Sequence, residues 1–551
     1  MQELVSAAQM RAIERKAISG GAVTGQELME RAGEGLVSAV LECWPVFTSG
    51  KHRAVVLCGP GNNGGDGFVI ARLLAALNWT VEVYFEDAPD KMQPEARRNL
   101  ERWSEIGPVL PLSGLDQSAL LTDHSDQGPT LIVDAIFGTG LARPVGAPWA
   151  EAFEFLTSAE WRSNVHVVAV DISSGICSDS GRVLGAGLPS DLTVTFHGAK
   201  IGHYLADGPD YCGRVDIRSI GLDDRTGEAS SGMTALVSYP RETRLFEKGY
   251  DARQCGTAGQ GRSRHKFDYG HALICSGPAT KTGAARLSAR AALRIGAGLV
   301  TIASPQDALT ENSAQLTAVM LKQADTAEEI ENLLSDDRIS SVCIGPGFSR
   351  LSDGGALDHE HTRQVVKTVL CAKRKTVLDA DALSAFAEDP QDLFAALHDL
   401  CVMTPHEGEF RRLFPDIHGQ LHSPAQNGPA YSKIDAARQA ASRAGCVVLF
   451  KGPDTVIAEP TGKTAIHAAH YDRAAPWLAT AGSGDVLAGF ICGLLARGRS
   501  VFEAAQQAAW LHTECARFFG PGLIAEDLSE VLPDVLRRIG GYQPKSSGDS
   551  L

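Results

Sequence analysis

The chain has 551 residues, 44% of them hydrophobic and 21% charged, with a formal net charge of −15. That composition excludes a mainly disordered chain, and the acidic balance excludes a general nucleic-acid binder, which needs a cationic face. Glycine, at 57 residues, is about a tenth of the chain against a typical ~7%, which points to tight turns and close backbone approaches.

The N-terminus, M-Q-E-L-V-S-A-A-Q-M-R-A-I-E-R-K, reads as an amphipathic helix. No basic stretch precedes an apolar one, so no signal peptide is expected. Strands are expected at 54–59, 80–85, 131–138, 166–172 and 192–196, with helical patterns between several of them. This is the signature of βαβ units and a mostly parallel sheet. From Leu222 to about Arg264 the periodicity breaks into polar, Gly-rich sequence. A second α/β series follows, with strands expected at 271–277, 298–303, 341–347, 376–381, 401–406 and 447–452. The expected organisation is a domain at 1–221, a linker at 222–264, a second domain at 265–541 and a frayed tail at 542–551.

The longest uncharged apolar run, Val486 to Ala496, is too short for a membrane span of roughly 20 residues. The 12 cysteines are scattered without a C-x-x-C. They are expected to be buried reduced thiols of a cytoplasmic protein. The 16 histidines include no H-E-x-x-H. The cluster D-H-E-H at 358–361 is expected to be a solvated loop rather than a metal site.

The strand at 54–59 runs into G-P-G-N-N-G-G-D-G and then a helix. A Gly-rich turn at a helix N-terminus favours a phosphate. A Rossmann dinucleotide site, with Glu86 ending the next strand, is one alternative. A tight turn with no ligand is another. Asp66 inside the loop would repel a pyrophosphate, so Asn62, Asn63 and Asp66 read better as a polar cradle, with room for a cation. Two later strands end in aspartate, Asp134 and Asp171. In a parallel sheet the loops after strand C-termini form the binding crevice. Asp134, Asp171, Ser174 and the loop Gly138–Pro144 are therefore expected to converge with the Gly-rich loop.

G-P-G-N-N-G-G-D-G-F-V-I-A-R-L-L, V-D-A-I-F-G-T-G-L, V-A-V-D-I-S-S-G and D-L-T-V-T-F-H-G-A-K-I-G-H resemble the epimerase domain of NAD(P)H-hydrate repair enzymes. M-R-A-I-E and L-M-E-R-A-G match too, so the resemblance covers nearly all of 1–221. It implies a Rossmann-like three-layer α/β domain. It implies that Asn62, Asn63, Gly64, Gly65 and Asp66, with Gly138, Thr139, Gly140, Leu141, Ala142, Arg143 and Pro144, contact the hydrated dinucleotide. It implies K+ held by Asn63, Asp134 and Ser174, a set of hard oxygen ligands. It implies that Asp171 binds substrate and is the acid/base at the stereocentre. Ser173 stands where the family usually has Pro, which would stiffen that turn.

In the second half, A-T-A-G-S-G-D-V-L-A-G-F-I-C-G-L-L-A (479–496) places a Gly-rich turn at a helix start, with Asp485 in its first turn. The N–H groups and helix dipole would stabilise charge on a transferred phosphoryl group. Asp485 would act as base toward a hydroxyl. No Walker P-loop is present. The arrangement resembles the ribokinase-like superfamily. T-G-A-A-R-L-S-A-R-A-A-L-R-I-G-A-G-L-V-T-I-A, I-G-P-G, V-L-D-A-D-A-L, M-T-P-H-E-G-E-F and F-K-G-P-D-T-V-I-A follow in the order of the ADP-dependent NAD(P)H-hydrate dehydratase, over about 265–535. That resemblance implies that Ala284, Gly347, His406 and Asp485 touch the hydrated nucleotide. It implies that Lys451, Gly452, Pro453, Asp454, Thr455, Ala481, Gly482, Ser483 and Gly484 hold ADP, with Mg2+ in this domain. Glu407 and Glu409 are left without a metal role. Two departures stand out: Phe267 where the family usually has Gly, and A-A-P-W-L-A-T before the anion hole.

The expected activity is repair: the first domain interconverts R and S hydrates, and the second dehydrates the S form with ADP, giving AMP and phosphate. The expected partners are NADHX, NADPHX and ADP, within a homo-oligomer, with no nucleic acid or membrane. The alternative is a small-molecule kinase of the hydroxymethylpyrimidine or hydroxyethylthiazole type, joined to a non-catalytic N-terminal binding domain.

Overall fold

The computed structural model describes residues 2–86, 92–115, 129–157, 165–222, 234–237, 265–350 and 358–540. Most of the expected linker at 222–264 and the whole tail at 542–551 lie outside the described residues. The chain forms two compact units. One is Glu3–Thr234 with Ser423–Lys433; the other is Met1–Gln2, Ala235–His422 and Ile434–Leu551. No sequence signal singled out Ser423–Lys433. In the first unit its Gly428 N–H donates to the Ala142 carbonyl at 3.0 Å, and the Ser423 carbonyl accepts from Arg182 Nη2 at 2.5 Å.

The sheet of the first unit has seven strands. They are β1 (Arg53–Cys58), β2 (Thr80–Phe85), β3 (Val109–Leu110), β4 (Thr130–Ala135), β5 (Val165–Val170), β6 (Leu192–Phe196) and β7 (Arg214–Arg218). Their order is β3-β2-β1-β4-β5-β6-β7, parallel throughout. Strand β1 shows why the runs are continuously apolar. Ala54, Val56 and Cys58 join one hydrophobic cluster, while Val55 and Leu57 join another. Successive side chains point to opposite faces, and both faces are buried. Helix α1 (Ala7–Ser19) starts at Ser6, which forms a reciprocal capping box with Gln9. Helix α2 (Asn62–Ala76) leaves the C-terminal end of β1.

The second sheet has eleven strands, of which nine are β8 (His271–Cys275), β9 (Leu299–Ser304), β10 (Met320–Gln323), β11 (Ile339–Ile344), β12 (Lys375–Leu378), β13 (Cys401–Met403), β14 (Val447–Phe450), β15 (Asp454–Ala458) and β16 (Thr464–Ala468). They run in the order β16-β15-β14-β13-β12-β11-β8-β9-β10. Strands β8 to β14 are parallel to their neighbours; β15 and β16 add an antiparallel extension. The helices that position chemistry are α3 (Thr282–Arg294), α4 (His359–Cys371), α5 (Glu407–Leu413), α6 (Pro415–His422) and α7 (Ser483–Ala496).

The apolar run Val486 to Ala496 is α7, buried at every position. A helix apolar all round is a core helix in a protein of this size. No helix among the described residues is long and apolar enough to cross a membrane. Cys58, Cys343, Cys446 and Cys492 are free and buried, as the apolar runs around them implied. The D-H-E-H segment is not a loop: Asp358 caps α4, its Oδ1 accepting the His361 N–H at 3.0 Å. Aspartate is a strong N-cap, and this explains the residue type without a ligand.

Candidate functional sites

In the first unit the strand order reverses between β1 and β4. Open parallel sheets bind ligands at such a switch point, outside the strand C-termini. The Gly-rich loop follows β1 and Asp134 lies near the end of β4. Gly64 and Gly65 are buried. A Cβ on Gly64 would stand 1.8 Å from the Gly59 carbonyl oxygen, so this glycine is required by the turn itself. Gly140, Ala142, Arg143 and Pro144 are exposed, while Leu141 packs with Cys177, Leu184 and Ala430.

Asp134 is fully buried. Its Oδ1 accepts from Ser174 Oγ at 2.5 Å and its Oδ2 from the Ser174 N–H at 2.7 Å. Burial outweighs these bonds and pushes its pKa up to about 6. Ser174 Oγ also accepts the Phe137 N–H at 2.9 Å. Asn63 Oδ1 lies against Gly138, 2.9 Å from where a Cβ would stand, and the buried Asn63 Nδ2 has no hydrogen-bond partner. Asn63, Asp134 and Ser174 thus gather around the Phe137–Gly138 backbone. The buried Asp134 carboxylate, the Ser174 hydroxyl and the Asn63 Oδ1 are oxygen donors, a set that fits a monovalent hard cation.

Asp171 directly follows β5 with φ at +68°, a left-handed conformation that costs a non-glycine residue on the order of 1–3 kcal/mol. It is held there from both sides. Its N–H donates to the Val194 carbonyl at 2.8 Å, and its carbonyl accepts from His203 Nε2 at 3.0 Å. His203 Nδ1 in turn accepts the Lys200 N–H at 3.1 Å, so the ring proton sits on Nε2. Burial, then the nearby Lys200, holds His203 down to about 4. It is a neutral brace.

Lys200 was not assigned a role by sequence, although it lies within the quoted H-G-A-K-I-G-H. Its side chain is fully buried, and its Nζ donates to Asp171 Oδ1 at 2.6 Å and to Thr195 Oγ1 at 2.7 Å. Burial raises the Asp171 pKa, but Lys200 and Thr195 outweigh it, so Asp171 lies below the usual carboxylate range. Asp66 behaves oppositely. Burial, with Asp171 and Glu14 adding repulsion, pushes it well above that range. The repulsion expected between Asp66 and a pyrophosphate is relieved when Asp66 is protonated. Glu14, from α1, is raised by burial and by Asp171. Ser173 is fully buried. Its Oγ lies 2.6 Å from Ser190 Oγ and donates to the Tyr211 carbonyl at 2.9 Å. Hydrogen bonds therefore fix the turn that a proline would otherwise stiffen.

In the second unit, β12, β13 and β14 are neighbours, and their C-terminal ends deliver Asp379, His406 and Lys451. Lys451 Nζ donates to Asp379 Oδ1 at 2.8 Å and lies 3.9 Å from Glu409 Oε2. Thr404 Oγ1 donates to the same Asp379 oxygen at 2.8 Å. His406 caps α5; its Nδ1 accepts the Gly408 N–H at 2.9 Å, and its own N–H donates to Glu409 Oε2 at 2.9 Å. Burial raises Glu409, and Asp379 adds to the rise against Lys451.

Helix α7 enters this cluster end-on. Gly482, its N-cap, has φ at +86°, so a side chain here would be strained. Ser483 Oγ donates to the Leu478 carbonyl at 2.9 Å, pinning the unusual W-L-A-T approach. No side chain caps the helix, and the Ser483 N–H makes only a long bond, 3.4 Å, to the Thr480 carbonyl, so this N-terminus suits an anion. Asp485 is pushed up to about 7 by burial and by the charge of Asp379, against the pull of Lys451. Sequence reasoning missed Asp379, although V-L-D-A-D-A-L carries the same strand-end aspartate signal as Asp134 and Asp171. Lys451, expected at ADP, faces these carboxylates. Thr455 is buried, its Oγ1 bonded to the Gly452 carbonyl at 2.7 Å. Gly452, Pro453 and Ala481 are exposed; Asp454 begins β15.

The switch point of this sheet lies between β8 and β11. A cavity of about 370 Å³ opens there, lined by Lys281, Phe348, Arg350 and His361 among others. Gly347 and Ala284 adjoin one another at its edge, and Ser288, one turn beyond Ala284, donates to the Asp485 carbonyl at 2.8 Å. Phe267 precedes β8 at the opposite end of the strand, stacked on His265 and covered by Arg338. This departure leaves the site end of the sheet untouched.

Residues 25–202 match the YjeF-related protein N-terminus family, and residues 272–533 match the NAD(P)H-hydrate dehydratase family. A bifunctional NAD(P)H-hydrate repair enzyme of Moorella thermoacetica is 34% identical over 97% of this chain and 97% of its own length. The chain belongs to the bifunctional NAD(P)H-hydrate repair enzyme family. An NAD(P)H-hydrate epimerase of Roseobacter litoralis is 41% identical over 40% of this chain and all of its own length. An ADP/ATP-dependent NAD(P)H-hydrate dehydratase structure from Bacillus subtilis, co-crystallised with ATP and Mg2+ and soaked with CoA, is 25% identical. It covers 49% of this chain and 93% of its own, with a TM-score of 0.39. The repair family thus runs through both units, each an α/β fold.

Proposed function

We propose that this chain repairs hydrated nicotinamide nucleotides at two active sites, epimerising R- and S-NAD(P)HX in the first unit and dehydrating the S form with ADP in the second. Membership of the repair family over nearly the whole chain carries the reading. Both ends of the chemistry have matching residues.

For the epimerase we assign opposed roles to two aspartates. Asp171, kept ionised by Lys200, takes the proton of the carbon-6 hydroxyl. The C=O forms as the C6–N1 bond breaks, and N1 takes a proton from Asp66. Ring closure from the other face reverses these transfers and inverts the centre. Environments that push two carboxyl pKa values apart mark such acid/base pairs. K+ held by Asn63, Asp134 and Ser174 would supply positive charge beside the substrate's polar groups.

For the dehydratase we assign Asp485 as the base on the carbon-6 hydroxyl. A base with a pKa near 7 suits work at neutral pH. As that proton leaves, the hydroxyl oxygen attacks the terminal phosphoryl group of ADP and AMP departs. The N–H groups at Gly482 to Gly484 stabilise the transferred charge. Phosphate then leaves carbon 6, expelled by the N1 lone pair, and loss of a carbon-5 proton restores the dihydropyridine. Asp379 and Glu409 are buried carboxylates served by one lysine, a donor set that fits Mg2+, whose chemistry here is to neutralise phosphate charge. A kinase-like site thus performs elimination by turning a poor leaving group into a good one.

The test is to supply mixed hydrate with ADP and follow dihydronicotinamide absorbance and phosphate. The reading requires NAD(P)H, AMP and free phosphate in equal amounts. A phosphorylated product that accumulates would contradict it. The cytoplasmic location and homo-oligomer belong to the same proposal.

A further inference from the structure

His418 and His422 stand four residues apart on α6, so their imidazoles share one helical face. Their ring centroids are 4.2 Å apart. Glu407, the first residue of α5, reaches that face. Its Oε1 lies 2.7 Å from His418 Nε2 and 2.6 Å from His422 Nε2. The three ligand atoms all lie within 4.8 Å of one another.

We propose that Glu407, His418 and His422 form a binding site for a divalent transition-metal cation of the zinc class, with its remaining position open to water. Two imidazole nitrogens and one carboxylate oxygen are a donor set for zinc, and a poor one for Mg2+, which demands oxygen. Around a tetrahedral ion with bonds of about 2.0–2.1 Å, ligand atoms stand roughly 3.3 Å apart. The site therefore needs to open by a fraction of an ångström. The side chains of Glu407 and His422 are 51% and 56% exposed and free to make that adjustment.

The competing account is a hydrogen-bonded trio, in which each Nε2–H donates to one carboxylate oxygen. Metal binding replaces both of those ring protons with one cation. It also ties α5 to α6. Helix α5 carries His406 at its cap and Glu409 in its first turn, so the cation would brace the strand-end segment that presents them. The site is separate in chemistry from the hard-cation donors Asp379 and Glu409.

The experiment uses the full chain without a polyhistidine tag, stripped with chelator. It is then given one equivalent of Zn2+ in excess Mg2+, desalted and assayed for zinc. Wild type is expected to retain about one zinc per chain, and the H418A/H422A double variant and Glu407→Ala less than about a tenth of that. Co2+ in place of Zn2+ is expected to give ligand-field absorption in wild type and none in the variants. Circular dichroism checks that each variant is folded; the single exposed change His422→Ala, with a shifted Co2+ spectrum expected, serves if the double variant is not. A wild type that retains no zinc, or variants that retain as much as wild type, would overturn the proposal.

Discussion

Lys200 Nζ stands 2.6 Å from Asp171 Oδ1, a buried ion pair joining the loop after β6 to the end of β5. Removing one partner of such a pair leaves an uncompensated charge, at a typical cost of about 3–5 kcal/mol. Lys200→Met is therefore expected to lower the thermal midpoint of the first unit. With Lys200 gone, burial is opposed only by the weaker effects of Thr195 and His203, and the Asp171 pKa rises. The acid limb of the epimerase pH profile should move to higher pH, while turnover of pure S-hydrate by the second unit stays unchanged.

Asp485→Asn removes the proposed base. Dehydration should fall by about 10²–10⁴-fold, with epimerisation intact. The sign of its stability effect follows from the raised pKa of about 7. In the ligand-free protein this group favours folding below its ordinary value near 3.8, and the contribution is lost as pH rises through about 7. Urea unfolding at pH 5 and pH 8 should show the Asn variant gaining on wild type at the higher pH.

The fold was largely legible because strands buried on both faces are continuous apolar runs. Their ends were less so. The expected strand at 341–347 stops at Ile344, and that at 376–381 stops at Leu378, because the following Gly and Asp residues leave the ladder to form the site. Edge strands such as β3 and β10 were missed because they are short and partly exposed; the buried antiparallel pair β15 and β16 was missed because Asp, Thr and His interrupt its apolar runs. At the sites, Asp134, Asp171 and Asp485 were legible from strand or helix ends. Lys200 was not, since its importance lies in pairing with Asp171, 29 residues away; Asp379 carried the same strand-end signal and was overlooked, and only the fold shows its pairing with Lys451, 72 residues away. The spacing of His418 and His422 was not read as a site, because only the fold brings Glu407 between them.

Asp134 ties the cation proposal to a measurable salt effect. KCl, compared with LiCl at equal ionic strength, is expected to raise the thermal midpoint of the wild-type first unit. Because the Asp134 pKa is about 6, protonation should abolish this difference as pH falls below 6. Asp134→Asn should abolish it at every pH.

Ser173→Ala removes the hydroxyl that lies against Ser190 and donates to the Tyr211 carbonyl. The expected loss is about 1 kcal/mol in denaturant unfolding. A greater loss in epimerase rate than in stability would locate the cost in the placement of Asp171 and Ser174, on either side of it in the chain.

The central claim is that two complementary active sites act on one damaged nucleotide. It is tested most directly by giving an equal mixture of R- and S-hydrate, with ADP, to wild type and to Asp171→Ala. Wild type should convert the whole pool to NAD(P)H in one phase. The variant should convert half at the wild-type rate and the rest only at the rate of spontaneous epimerisation. A variant that converts the entire mixture as fast as wild type would contradict the account.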